Sequence, residues 1–206
     1  IDSDISMRSH VAETVSSCFA ALRQIRFIKR SISRPVLQSL VVSMVMTRLD
    51  YGSGTLAGIP GRLMGRLQSV LNAAARLVFS AWKYDHITPL LRELHWLSYP
   101  ERIAYRLAVL AFRCQHSLAP SCLSDELLRA SDIDSRRRLR SASMAVLVVP
   151  QSKHSTISDR AFPVAAAKIW NTLPADVTSA PSLPSFKRRL KTELFKRCYA
   201  SDSANI

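Results

Sequence analysis

Apolar residues recur every three or four positions along most of the chain, the spacing that places side chains on one face of an α-helix. In the first such stretch, from about residue 6 to residue 30, the stripe consists of Val11, Val15, Phe19, Leu22 and Ile25. A second helix is predicted after Ser33, because Pro35 suits a first helical turn and an apolar stripe covers residues 37–45. Both segments are therefore predicted to be amphipathic helices that bury one face.

The pattern continues after a turn-rich connection at residues 52–61, which holds four of the five glycines. A third helix is predicted over residues 62–78, with an inward face of Leu63, Leu67, Val70, Leu71, Ala74 and Leu77. A short helix is predicted to begin at Thr88. Another is predicted from Ser98, because Ser98 and Glu101 have the spacing of a capping box.

The last third of the chain is more mixed. The β-branched run at residues 145–150 predicts a short strand, with a weaker partner near residues 156–157. Helices are predicted over residues 159–171, with Pro163 in the first turns, and over residues 184–199. We interpret residues 175–185 as a linker. The fold class predicted is mostly α, a helical bundle followed by further helices with one short β-strand or hairpin.

Three segments are expected along the chain. They are a helical bundle at residues 1–81, a helical region at residues 82–131, and a basic linker, strand and two helices at residues 132–206. Because the sequence begins with Ile1 and not with Met, we expect it to be an excerpt of a longer polypeptide.

Charge points to a polyanionic partner. The net charge is +14 and the pI is near 10.4, a balance for which nucleic acid is the usual partner. The cations that we predict to bind phosphates lie on the polar sides of helices or in a basic run: Arg23, Arg26, Lys29, Arg30, Arg62, Arg66, Arg76, Arg136, Arg137 and Arg138. The alternative for each cation is a solvated surface or an ion pair. No apolar run is long enough for a membrane span, so no membrane is expected.

Catalytic motifs are absent from the sequence. No adjacent Asp-Asp pair, GxxxxGK[ST] loop or GxSxG elbow occurs. Asp132 and Asp134 lie beside arginines, which favours a solvated charge cluster over a metal site. The cysteines form no CxxC pair, and the grouping of Cys114, His116 and Cys122 fits no standard zinc spacing. We therefore expect no catalytic residue, no metal site and no cofactor in this segment, and intracellular, reduced thiols.

Several longer motifs resemble one family. The clearest is ISDRAFPVAAAKIWNTLP at residues 157–174. Four other segments also resemble that family and occur in the family's order: RLDYGSGTLAGIP (48–60), RLQSVLNAAARLV (66–78), KYDHITPLLRELHWL (83–97) and ERIAYRLAVLAFRCQHSLAP (101–120). The chain resembles the C-terminal part, thumb and C-terminal region, of reverse transcriptases from non-LTR retrotransposons (LINEs) of the jockey and chicken-repeat type. It departs from that family's usual pattern at Gly52, Cys122 and Ser158.

The resemblance implies a role next to a polymerase active site and not in it. The thumb of such an enzyme grips the template–primer RNA/DNA duplex. For the C-terminal region that follows the thumb, the resemblance implies binding of element RNA or target DNA during target-primed reverse transcription. The catalytic aspartates and their Mg²⁺ would belong to a palm domain upstream, so this segment alone is expected not to be an enzyme. Synthesis in the cytoplasm and action in the nucleus are expected.

Two other functions are compatible with the residues. One is a domesticated, non-enzymatic nucleic-acid-binding protein that has lost the palm. The other is a helical protein–protein interaction module, whose affinity for nucleic acid would be weak and indifferent to salt.

Overall fold

Helices form where the sequence repeats apolar residues at helical spacing, and the computed structural model is mostly helical, which confirms the predicted fold class. The structure describes residues 7–132, 146–150 and 159–200. The helices are α1 (Arg8–Ile28), α2 (Arg34–Val41), α3 (Thr47–Asp50), α4 (Gly61–Phe79), α5 (Ile87–Glu93), α6 (Tyr99–Gln115), α7 (Ser121–Ser124), α8 (Phe162–Asn171), α9 (Ala175–Thr178) and α10 (Leu183–Tyr199). Among the described residues, no helix is long and apolar enough to cross a membrane.

The described chain forms two compact units. The first comprises residues 7–53, 59–102 and 198–200, and the second comprises residues 54–58, 103–132, 146–150 and 159–197. The two units are described separately below.

The first unit is built on α1, α2 and α4, which pack against one another. A π-helical turn, Val42–Met46, continues α2 into α3, so residues 34–50 form one helical run. The buried face of α1 consists of Val11, Val15, Cys18, Ala21, Leu22 and Ile25. Phe19, predicted to lie on that face, is only half-buried, because the stripe turns toward Cys18 and Ala21. On α4, Leu77 is likewise half-buried, and Val78 is buried instead.

The start of α6 is fixed to the first unit by hydrogen bonds. The buried Tyr99 hydroxyl donates to the Leu49 carbonyl over 3.0 Å, and the Tyr99 backbone N–H donates to Gln68 Oε1 over 2.7 Å. On either side of Tyr99, the side chains of Ser98 and Glu101 are hydrogen-bonded to each other, so the two residues of the predicted capping box are in contact. The helix begins at Tyr99, one residue after the predicted cap.

The second unit is organised around stacked aromatic rings. Phe112 lies 4.4 Å from Phe186 between ring centroids, and Phe186 lies 5.7 Å from Trp170. These rings join α6, α8 and α10, since each helix contributes one of them. α10 buries Phe186, Leu190 and Leu194, which recur every four residues and form its inward face.

The predicted strand at residues 145–150 is wrong in its described part, residues 146–150. This segment makes a single antiparallel bridge, between Leu147 and Arg129, and the described residues contain no β-sheet. The reason is that the Asn171 side chain binds both backbone groups of Leu147: its Oδ1 accepts from the N–H over 2.9 Å and its Nδ2 donates to the carbonyl over 2.8 Å. A side-chain amide thus replaces a strand neighbour. The predicted partner at residues 156–157 lies outside the described residues.

Two boundaries in the C-terminal region also differ from the prediction. α8 begins at Phe162 and not at residue 159, because Pro163 occupies its first turn, where the missing N–H costs nothing. The segment 175–185, predicted to be a linker, contains α9 and buries Val177 and Ala180. Its two apolar side chains enter the core of the second unit, so this segment is packed structure.

Candidate nucleic-acid interface

Four of the predicted phosphate-binding residues lie together at the end of α1. Arg23 and Arg26 are exposed on its last turns, and Lys29 and Arg30 follow in a 3-10 turn. We call these four residues the basic end. Within residues 7–132, 146–150 and 159–200, their side chains make no hydrogen bond and no ion pair.

The position of the basic end follows from how α1 pairs with the helical run 34–50. The Cys18 thiol donates to the Val45 carbonyl over 3.8 Å, and Arg48 Nη1 donates to Ser17 Oγ over 3.0 Å. Near the start of α1, His10 Nε2 lies 3.9 Å from the position of a Cβ built on Gly52. Residues later in α1 therefore lie beside residues earlier in the helical run 34–50, so the two are antiparallel. This pairing places Arg34, at the start of the run, beside the basic end of α1.

Arg34 also places the end of α4 beside the basic end. Its guanidinium carbon lies 4.1 Å from the centroid of the Phe79 ring, and its Nη2 is 2.7 Å from Glu93 Oε1. The C-terminal ends of α1 and α4 are therefore at the same end of the first unit. Sequence reasoning did not include Arg34 among the binding residues; its position four residues after Arg30 was the only signal.

The predicted arginines therefore form two groups and not one. Arg62 and Arg66 are exposed in the first two turns of α4. At a rise of 1.5 Å per residue, they lie about 26 and 20 Å along the helix axis from Phe79. They are consequently at the other end of the first unit from the basic end. A ligand that contacts both groups must extend along the length of α4.

Arg76 lies near the basic end but is partly engaged in the fold. It is half-buried, and its Nη2 donates to the Asp85 backbone carbonyl over 3.3 Å. This hydrogen bond connects the last turn of α4 to the loop that follows it. Arg76 is thus less available to a phosphate than the exposed cations of α1.

Acidic residues are scarce in this part of the chain. Between residues 14 and 84 there are ten lysines and arginines and one acidic residue, Asp50. The Asp50 carboxylate is paired at 2.5 Å with Arg102, which lies outside that stretch. The stretch therefore carries a large excess of positive charge, which produces a field that attracts polyanions.

The tryptophans divide by environment. Trp96 and Trp170 are buried and pack in the core. Trp82 is exposed, and so is Tyr84 two residues later. The faces of these two rings are therefore accessible to a ligand, and neither ring packs in the core.

The cysteines and the histidine at residues 114–122 lie in different environments. Cys114 is buried and Cys122 is exposed, and burial raises the pKa of the Cys114 thiol above its ordinary value of 9.0. The imidazole of His116 stacks on Phe112 at 3.8 Å between centroids. Within the described part of the chain, no group of three or more His, Cys, Asp or Glu residues is placed to hold a metal ion.

Arg136, Arg137 and Arg138, together with Asp134, lie outside the described residues. Comparison of the chain with family models, with curated proteins and with solved structures gives no match.

Proposed function

We propose that the first unit binds the sugar–phosphate backbone of nucleic acid, and that the basic end is its main point of attachment. The observation that carries this proposal is the basic end, four cations whose side chains have no hydrogen-bond or ion-pair partner within the described ranges, in a stretch of the sequence with ten basic residues and one carboxylate. Guanidinium and ammonium groups bind phosphates without reading the base sequence. Affinity gained in this way depends on the release of counterions and so falls steeply with salt.

The sequence motifs supply the biological setting of the proposal. On their resemblance to non-LTR retrotransposon reverse transcriptases, the chain is the thumb and C-terminal region of such an enzyme. It would clamp the RNA/DNA duplex and help to position element RNA or target DNA. Its partner within the polypeptide would be an upstream palm, which carries the catalytic aspartates and Mg²⁺, and its work would be done in the nucleus. Surface cations that bind any sequence suit a clamp that must move along every template.

A protein-interaction module is the second candidate. The observation that favours it is the exposure of Val36 and Val42 on the helical run 34–50. Two separate valines are within what a soluble surface carries, however, and they do not account for the excess of cations. The charge distribution therefore favours the nucleic-acid proposal.

The test is fluorescence anisotropy of a labelled RNA–DNA hybrid, titrated with the full chain between about 50 and 200 mM salt. The triple charge reversal Arg23→Glu, Arg26→Glu and Arg30→Glu should weaken binding at least tenfold. It should also reduce the slope of log affinity against log salt by about 0.9 for each phosphate that the variant no longer neutralises. The reversal of Arg62 and Arg66 shows whether the far end of α4 also binds the duplex.

A matched control is available on α10, where Lys187, Arg188 and Lys191 are exposed. Reversal of these three changes the net charge by the same amount but leaves the basic end intact. Loss of affinity confined to the α1 variant supports the proposal. Equal losses in both variants would indicate a non-specific effect of net charge, and salt-insensitive binding that neither variant changes would favour the protein-interaction module.

A further inference from the structure

Three large aromatic side chains are left in solvent in the first unit near the basic end. Phe27 is 88% exposed, Trp82 80% and Tyr84 89%, whereas rings such as Tyr99 and Phe112 are fully buried. Exposure this complete contributes nothing to the core. These rings are therefore free to contact a ligand, and we call them the aromatic surface.

Their positions follow from the pairing of the helices. Phe27 is the penultimate residue of α1, inside the sequence span of the basic end. Trp82 and Tyr84 follow Phe79 by three and five residues, and Phe79 lies against Arg34. The aromatic surface is therefore at the same end of the first unit as the basic end.

The loop that carries two of these rings is held in place. Ser80, the residue that follows α4, has a left-handed φ of 57°. The Ala81 N–H donates to the Arg76 carbonyl over 3.0 Å. The Trp82 N–H donates to Asp85 Oδ2 over 2.7 Å, and the Asp85 N–H donates to the Trp82 carbonyl over 3.2 Å. A loop that is already ordered loses little conformational entropy when a ligand binds.

A cation lies between the two rings in the sequence. Lys83 Nζ is 5.6 Å from the centroid of the Tyr84 ring. Together with the basic end, Lys83 supplies positive charge next to the aromatic faces. Cations that follow a phosphate backbone, interleaved with rings on which bases stack, are the arrangement with which proteins bind single strands.

We propose that the aromatic surface (Phe27, Trp82 and Tyr84) stacks on unpaired bases of single-stranded nucleic acid whose phosphates bind the basic end. This proposal rests on the proposed function, because it uses the same cations. It adds a preference that phosphate binding alone cannot give. In a duplex the base faces are covered by their neighbours, so exposed rings gain nothing there, whereas an unpaired base offers its whole face.

A membrane surface is the other ligand that attracts cations and aromatic rings. A helix that lies on a membrane must present a continuous apolar face. The apolar face of α1 is instead buried in the core, from Val11 to Ile25. The exposed large apolar side chains at the end of α1 are Phe27 and Ile28, which lie among cations and are too few to form such a face, and this favours a nucleic acid.

The first experiment compares three labelled probes in anisotropy titrations of the full chain. They are an oligouridine of about 12 nucleotides, a strand of the same length made of abasic sites, and an RNA–DNA hybrid. The double variant Trp82→Ala, Tyr84→Ala should weaken oligouridine binding about fivefold or more for each ring removed, and should change hybrid binding less than about twofold. The abasic strand should bind the unmodified chain at least as weakly as oligouridine binds the variant, because the variant keeps Phe27.

Two controls separate stacking from other effects. Tyr51→Ala removes a ring that is also exposed but lies next to Gly52, beside the start of α1 and away from the aromatic surface, so it should leave binding unchanged. The double variant Trp82→Phe, Tyr84→Phe keeps two aromatic faces and should retain most of the affinity. Because these side chains are exposed, all variants should keep the thermal midpoint of the unmodified chain.

Intrinsic fluorescence gives a second measurement. Trp82 is the exposed tryptophan, since Trp96 and Trp170 are buried. Oligouridine should therefore quench a component of the emission that disappears in Trp82→Phe, and the abasic strand should not quench it. This signal reports an interaction with the ring and not only with the charges.

The outcomes distinguish the two proposals. If oligouridine and the abasic strand bind equally and the aromatic variants have no effect, the stacking proposal is wrong, while sensitivity to charge reversal at the basic end would still support the proposed function. If reversal of the basic end also has no effect, the proposed function fails as well. Binding to phosphatidylserine vesicles that is abolished in the aromatic variants, without their affecting oligouridine, would overturn the stacking proposal in favour of a membrane.

Discussion

The guanidinium group of Arg102 donates to both carboxylate oxygens of Asp50, from Nε over 2.9 Å and from Nη2 over 2.5 Å. Both side chains are more than four-fifths buried, with exposed fractions of 18% and 17%. Asp50 is also the one acidic residue between positions 14 and 84. The fold thus pairs this carboxylate with Arg102, while the side chains of the basic end make no hydrogen bond or ion pair among the described residues.

The substitution Asp50→Asn should destabilise the protein. It removes the charge that compensates Arg102 and replaces one of the two acceptor oxygens by an NH₂ donor, so the bidentate pair is lost and the cost should be about 1–3 kcal/mol. The measurement is the midpoint of urea unfolding. Glu93→Gln is the matched control, because it changes the net charge equally at the Arg34 pair, which is 52% and 60% exposed and should be worth less than about 1 kcal/mol. Equal losses in the two variants would contradict this prediction.

The sequence predicted the helices well because their apolar stripes are regular. The second helix follows Ser33 with Pro35 in its first turn, as predicted, and α4 extends one residue beyond each predicted end. The spacing of apolar residues and the position of a proline are local features, so helices can be predicted from them in a single sequence. The strand prediction failed because the partner of Leu147 is the Asn171 side chain, 24 residues away, and no local pattern identifies such a pairing.

The candidate site was predictable only in part. The charge of Arg23 and Arg26 and their positions off the apolar stripe predicted that both side chains are exposed, and both are. Nothing in the sequence indicated that Arg62 lies at the other end of the unit, because that depends on the pairing of α1 with the helical run 34–50. The exposure of Phe27 was also not predicted. A single aromatic residue on a helix usually packs in the core, and only the packing of the neighbouring helices shows that this one does not.

The thiols should differ in their rate of reaction with a maleimide or with a disulfide reagent. Cys122 is exposed and should react first, whereas Cys18 and Cys114 are buried and should react only after local unfolding. Burial also raises the pKa of both buried thiols, which lowers the fraction present as thiolate. Mass spectrometry of a labelling time course measures the order. Fast labelling of Cys18 in the folded protein would contradict the helix packing described above.

Stability should fall in alkaline solution. Burial raises the pKa of the Cys18, Cys114 and Cys198 thiols above their ordinary value of 9.0, and the neighbouring Arg48 offsets part of the shift at Cys18. The folded state therefore holds these protons more tightly than the unfolded state. The stabilisation is fully present below pH 9.0 and is lost as the pH rises from there through the folded-state values.

Urea unfolding at a series of pH values measures this loss. The pH dependence of the unmodified chain is compared with that of variants that lack one buried thiol. Cys18→Ser should flatten it, whatever its effect on stability at neutral pH. The Tyr105 hydroxyl, whose pKa burial also raises above 10.0, adds a loss in the same direction at higher pH, so Tyr105→Phe isolates the thiol contribution. A free energy of unfolding that stays constant above pH 9.0 would refute the prediction.

The side chain of Asn171 should hold the segment 146–150 against the second unit. It makes two hydrogen bonds to the backbone of Leu147, and Leu147 is buried beneath them. Asn171→Ala removes both and should raise the rate of hydrogen exchange at the Leu147 amide about tenfold or more, since each bond contributes about 1 kcal/mol. Asn171→Asp keeps the acceptor for that N–H and loses the donor to the carbonyl, so its effect should be intermediate. Thr172→Ala, at the neighbouring exposed position, should leave this amide unchanged; a similar increase in all three variants would mean that α8 as a whole, and not the Asn171 amide, holds the segment.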